Sequence, residues 1–301
     1  MNKSTSYIIL AFFAIYIIWG STYLLVAFAV EEIPPFKMAS IRFLVGSTII
    51  FTIVSFKNGW KFITKKQYIN SAIAGVLFLA IGNGLMSYAL QYIDSGYSCL
   101  LTSGQPLILL VMLWILDRQS PKPMAWIGVL LGIAGMYLLV SEQGLIETEK
   151  QVLGTVVIFI CLLSWGAGSI FVNRSDLPKS YLTNTGIQMF IGGLFLMLVS
   201  FATNEGSTNW SAVSPRAYLS LAGLIIFGSI IAFTAFNFLL TKVSPEKVAT
   251  STYINPLVAL ALGYYFRDEL ITPQILLAAA VLLLGVFFIN ANKAKIAHDD
   301  V

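Results

Sequence analysis

The sequence predicts an all-α integral membrane protein whose ten transmembrane helices form two inverted five-helix repeats. Three observations carry this. Hydrophobic residues make up 57% of the 301 and charged residues only 11%, against roughly 25% charged in soluble domains, so lipid is the main solvent. The apolar residues gather into long runs joined by short polar connections. The chain also repeats itself. Trp19 and Gly20 recur as Trp165 and Gly166, Gly46 as Gly192, and Ala74 and Gly75 as Ala222 and Gly223. Thr102, Pro106, Leu107, Pro123 and Gly135 recur as Thr252, Pro256, Leu257, Pro273 and Gly285. The offset drifts only from 146 to 150 residues, which small loop insertions cover. Five runs per copy is an odd number, so the second copy enters from the opposite face. That pattern marks alternating-access carriers with a site near the bilayer midplane between the halves.

The first run, Tyr7 to Val30, follows Lys3 and so resembles a signal peptide at its start. It is too long for a signal h-region and no small-x-small site precedes Glu31, so it is expected to be a retained span. A short turn from Glu31 to Pro35 leads to the second, Phe36 to Phe56. The third (Ile69 to Tyr92) and fourth (Tyr97 to Leu116) are joined by Ile93 to Gly96. Most runs have about the 20 residues that cross roughly 30 Å of hydrocarbon. The fifth, Met124 to Val140, is shorter, and extends past its ends or sits in a locally thinner bilayer. The second copy repeats the series at Val152 to Val172, Leu182 to Thr203, Arg216 to Leu240, Glu246 to Phe266 and Pro273 to Ala291. Residues 1–145 therefore form the first repeat, and 146–301 the second with a short polar tail.

Lys and Arg orient the chain. With the N-terminus in the cytoplasm, thirteen of the 18 fall inside, including Lys57, Lys61, Lys65, Lys66, Arg118 and Arg174. Lys37, Lys150, Arg216 and Arg267 fall outside. Both termini then face the cytoplasm, and the basic surplus is explained by topology without a nucleic-acid partner. Cys99 and Cys161 lie within apolar runs and read as packing residues. His298 is the single histidine, in the polar tail, so neither a His-based metal site nor a Ser-His-Asp triad is expected. No cofactor is implied. The expected partners are a small-molecule substrate and membrane lipid, with the protein a monomer or homodimer.

Arg42 is the only charged side chain well inside a span. Burying it costs about 2.5–3.5 kcal/mol at a helix centre, so it has a purpose. It either faces a watery cavity and holds an anionic group, or it snorkels outward or pairs with Glu31, Glu32 or Asp94 as a gate or staple. Its repeat-mate, Gln188, is neutral, so the halves differ chemically here. Pro106 and Pro256 sit mid-span and deprive the carbonyls four residues back, Thr102 and Thr252, of a helical donor. With Gln105 and Asn255 beside them, they predict helix discontinuities lining a wet region; a plain packing kink is the other reading. Trp19 and Trp165 lie mid-span rather than in the interfacial belt, each followed by small residues, as cavity lining or tight packing would require. Asn83, Tyr88, Asn237 and Tyr253 complete the interior polar candidates. No Asp or Glu falls well inside any run, which argues against proton coupling through an embedded carboxylate.

Together, Trp19-Gly20-Ser21-Thr22, Ile41-Arg42-Phe43, Asn255-Pro256-Leu257 and the stretch from Tyr264 to Glu269 resemble the EamA family of the drug/metabolite transporter superfamily, in order and over Tyr7 to Ala291. The resemblance implies an inner-membrane carrier with a central cavity lined by spans one, three, four, six, eight and nine. It puts Trp19, Asn83, Tyr88, Gln105, Trp165, Asn237, Tyr253 and Asn255 on those spans as substrate-binding residues. Arg42 falls on another span, as a gating or structural residue. The expected function is export of amino acids or related small polar metabolites by alternating access, with sugars, nucleotides or drugs as alternative cargo. An integral-membrane lipid-modifying enzyme is the alternative from another class. It would need an acid/base or metal cluster, and the available ones, Asp117-Arg118 and Asp268-Glu269, fall on opposite faces.

Overall fold

In a computed structural model, residues 3–56, 62–118, 123–142, 147–240, 242–243, 248 and 251–294 are described, and their regular structure is helical throughout. Side chains of residues 3, 4, 253 and 289–294 are not described. Lys57, Lys61, Glu246, His298 and the boundary between the two expected repeats lie outside the described residues.

Among the described residues, eight helices are long and apolar enough to cross a membrane. They are α1 Thr5–Val30, α2 Pro35–Phe56, α3 Lys65–Ala89, α4 Ser95–Asp117, α5 Pro123–Val140, α6 Glu149–Arg174, α7 Tyr181–Ala202 and α8 Pro215–Leu239. Two further helices follow, α9 Ser251–Arg267 and α10 Pro273–Ala294, the latter apolar over the shorter stretch Pro273–Phe288. The short fifth run is the 18-residue α5.

The starts are written in the sequence. Thr64 with Gln67 and Thr148 with Gln151 form capping boxes at α3 and α6, while Ser180 and Ser214 accept from the first-turn amides of α7 and α8. The start of α2 is capped from another helix end, since Glu205 accepts from the Phe36 and Lys37 amides at 2.9 and 2.8 Å. Helices α4 and α9 both end on a left-handed residue, Arg118 (φ 54°) and Asp268 (φ 53°).

Three helices contain π stretches: Ala14–Ile18 in α1, Val76–Asn83 in α3 and Leu224–Phe233 in α8. Those of α3 and α8 begin directly after the repeated Ala-Gly pair. Such stretches disturb the backbone ladder and gather at functional sites. Side chains donate to their carbonyls, Ser164 to Leu77 at 2.8 Å and Asn83 to Phe78 at 3.0 Å.

Helix α2 packs along α7 and α5 along α10; α3 lies against α6 and α7, α8 against α1 and α2, and α9 against α1 and α4. Bare glycines set the closest approaches. A Cβ on Gly285 would come within 2.7 Å of the Gly132 nitrogen and 2.8 Å of the Gly128 carbonyl, both backbone atoms that cannot yield. Gly285→Val is therefore expected to destabilise the α5–α10 pair by about 1–3 kcal/mol, read as a lower thermal unfolding midpoint of the detergent-solubilised protein. Leu130, Tyr137, Leu198, Phe201 and Leu219 are largely exposed, an apolar outer surface suited to lipid.

Candidate functional site

Where the helices diverge they enclose one large cavity of about 810 Å³. Its walls come from α1, α2, α3, α4, α6, α7, α8 and α9. At one end it reaches Asp117 and Arg174, an exposed ion pair at 2.7 Å. At the other it stops beneath the buried side chains of Val26 and Leu90.

An aromatic cluster forms one wall. Trp19 and Trp165, the repeated tryptophans, meet edge to face with ring centroids 6.2 Å apart. Phe78 lies 4.7 Å from Trp165, and Phe236 lies 5.1 Å from Trp19 and 6.2 Å from Trp165. Gly82 makes room for the Trp165 indole, because a Cβ there would sit 2.5 Å from its Nε1.

Polar groups line the rest. The Gln105 amide nitrogen is buried with no hydrogen-bond partner among the described residues. Tyr23 and Thr102 share a hydroxyl–hydroxyl bond of 2.7 Å. Asn237 donates to Thr185 at 2.9 Å and to Gln188 at 3.5 Å; Gln188 donates to Asn184 at 3.2 Å, and the Ser71 hydroxyl donates to Asn184 at 2.8 Å. Asn255 also lines the cavity, and its amide is oriented with the nitrogen donating to the Ile15 and Tyr16 carbonyls at 2.9 and 2.8 Å. It thereby ties α9 to the π stretch of α1.

Arg42 reaches the cavity too and is almost fully buried. Its Nε donates to the Ser229 hydroxyl at 2.7 Å, and its guanidinium lies 4.9 Å from the Phe43 ring centre. Of the three carboxylates raised as gate partners, Glu31 pairs with Arg216 and Arg267 and Glu32 accepts from Ser214. Asp94 sits at the N-cap position of α4, where its side chain makes no capping bond. Ser214 hydrogen bonds hold the Glu32 carboxyl below the usual range.

Of the residues expected from sequence, Trp19, Asn83, Gln105, Trp165, Asn237 and Asn255 line this cavity, as do Arg42, Pro106 and Pro256. Tyr88 does not; it stacks on Phe36 with centroids 5.7 Å apart. At about 100° per residue, five residues turn it well away from the face that Asn83 presents. The Tyr253 side chain is not among those described. The two prolines also differ. In α4 the helix breaks at Gly104, and Pro106 is the second residue of the following segment, Gln105–Asp117, in the first turn where its missing N–H costs nothing. Pro256 instead lies within the continuous α9. Sequence reasoning missed Tyr23, Phe78, Phe236, Ser229 and Asn184. Only Asn184 carried a signal, being four residues from Gln188 and hence on the same helix face.

Beyond the closed end lies a clasp. Glu269, buried just past α9, accepts from the Ser95 amide (2.8 Å), the Ser95 hydroxyl (2.7 Å) and the Gly96 amide (2.9 Å) at the start of α4. Arg267 bridges Glu269 at 3.5 Å and Glu31 at 3.2 Å. Burial raises the Asp94 carboxyl, helped by the neighbouring Glu269 charge and opposed by Arg267. The folded state thus holds this proton more tightly than the unfolded chain. The contribution of Asp94 to stability is complete in acid and lost as pH climbs from the ordinary carboxylate range through the raised value. Asp94→Asn is expected to unfold at a higher temperature than wild type at neutral pH, with the gap closing under acid.

The EamA-like transporter family model matches the chain twice, at residues 6–141 and 152–291. A protein named as the uncharacterized inner membrane transporter YedA of Escherichia coli (strain K12) is 32% identical over 284 residues, covering 94% of this chain and 90% of its own. The uncharacterized transporter YoaV of Bacillus subtilis (strain 168) is 22% identical, over 93% of this chain and 95% of its own. A solved crystal structure matches 97% of this chain and 99% of its own with a TM-score of 0.67 at 16% identity, a likeness of fold. The chain is a multi-pass membrane protein and belongs to the EamA-like transporter family.

Proposed function

We propose that this protein is a secondary carrier that exports small polar metabolites, amino acids first, by alternating access of two inverted five-helix repeats. The observation that carries this is a cavity of about 810 Å³ lined from both halves, with Trp19 meeting Trp165, reaching the Asp117–Arg174 pair at one end and stopping beneath Val26 and Leu90 at the other. Several features support the repeat. Exchanging α1–α5 with α6–α10 turns the α3–α6 packing into α8–α1, α3–α7 into α8–α2, and α4–α6 into α9–α1. The left-handed ends at Arg118 and Asp268 are 150 residues apart, the offset of the repeated prolines. The family model matches once in each half, supporting units of 1–145 and 146–301.

The surplus of Lys and Arg in the loops supports cytoplasmic termini, and the relative's name supports the inner membrane. In that orientation the Asp117–Arg174 mouth faces the cytoplasm, as uptake of an exported substrate requires. Aromatic walls suit an apolar side chain, and amides such as Gln105 suit the polar backbone end of an amino acid. Substrate drives the exchange between states only through differential binding to them.

Counterflow of labelled amino acids in proteoliposomes tests the reading without any assumption about a driving ion. Accumulation of amino acids is the expected result. Accumulation only of sugars, nucleotides or drugs would replace the substrate class, and silence across all of these in folded protein would contradict the carrier reading.

A further inference from the structure

Resting on the carrier reading, we propose that Arg42 and Ser229 form an anion subsite that selects substrates bearing a carboxylate. Among the described charged residues lining the cavity, Asp117 and Arg174 neutralise each other at the mouth, and Arg42 is the one that lies deep. It is 4% exposed, and no ion pair among the described residues includes it. A guanidinium withdrawn from water and left without a carboxylate is costly, and a bound anion would offset that cost.

The surroundings leave it ready for one. Ser229 accepts a hydrogen bond from Nε, which fixes the plane of the group and leaves its terminal nitrogens as a donor fork matched to a carboxylate. Gly228, next in the same π stretch, keeps the space beside Nη2 clear, since a Cβ there would come to 3.0 Å. The repeat-mate Gln188 is neutral and spends its amide on Asn184 and Asn237. The subsite is therefore single and lies on one side of the pseudo-symmetric cavity, which suits a monoanionic group on a body that packs against the Trp19–Trp165 wall.

A structural brace between α2 and α8 would use the same Arg42–Ser229 bond, so the test must read charge selectivity. Phenylalanine, N-acetylphenylalanine and phenylalaninamide share one side chain but are zwitterion, anion and cation. In counterflow by full-length wild type, the two carboxylates are expected to exceed the amide by about tenfold. Arg42→Gln should erase that preference, Arg42→Lys should keep part of it, and Ser229→Ala should weaken it. Thermal unfolding of each variant shows that it is folded. Equal transport of acid and amide by wild type, or an equal loss of all three compounds in Arg42→Gln, would overturn the subsite. Transport of none of the three overturns it as well. Only silence across every substrate class brings down the carrier reading with it.

Discussion

Trp165→Ala is expected to abolish transport and to lower stability by about 3–5 kcal/mol, the range for deleting a large aromatic from a packed interior. Trp165 contacts Trp19, Phe78 and Phe236, and these rings come from α1, α3, α6 and α8. Its removal opens a void at the point where the halves meet and takes away the flat wall against which a substrate body would lie. Trp165→Phe keeps a ring in that space and should recover most of the thermal stability while transporting more slowly. Counterflow and thermal unfolding on the same preparations check both statements. Wild-type transport by Trp165→Ala would remove the cluster from the mechanism.

Glu269→Ala should release the closed end. Three hydrogen bonds to this carboxylate hold α9 against the start of α4, and each bond to a charged acceptor contributes about 1.5–3 kcal/mol. The charge also favours the positive end of α4. Losing even one such contribution shifts the closed-to-open ratio by about tenfold or more. Spin labels at Gln91→Cys and Leu270→Cys, in a background with Cys99→Ser and Cys161→Ser, would report this as a longer and broader distance distribution. Glu269→Gln, which keeps the shape but not the charge, should fall between. An unchanged distribution in Glu269→Ala would mean that other contacts hold this face shut.

Much of the helical scaffold was legible because hydropathy reports on it directly. The repeated tryptophans, read as cavity lining or tight packing, meet with their ring centres 6.2 Å apart on the cavity wall, while capping residues such as Thr148 and Ser214 were not singled out although they open α6 and α8. What escaped was whatever depends on backbone register. The π stretches leave no trace in hydropathy, because an apolar run reads alike with either hydrogen-bond pattern, yet they set where Asn83 and Ser229 lie. Tyr88 looked equivalent to Asn83 in the sequence and is turned to Phe36 instead. Phe78 and Phe236 carry no mark that separates a cavity wall from a lipid-facing ring. Pro106 announced a discontinuity, but Gly104 is the residue at which the helix breaks. Arg42 was conspicuous, while its partner Ser229 was one hydroxyl among many.

The most direct test of alternating access uses Met86, which lines the cavity near its closed end. With Met86→Cys in the Cys99→Ser and Cys161→Ser background, a membrane-impermeant maleimide should label from the Asp117–Arg174 face in the resting protein. Once a transported amino acid is added, it should label from the Glu269 face as well. Labelling from one face alone, whatever substrate is present, would mean a blind pocket and would contradict the carrier.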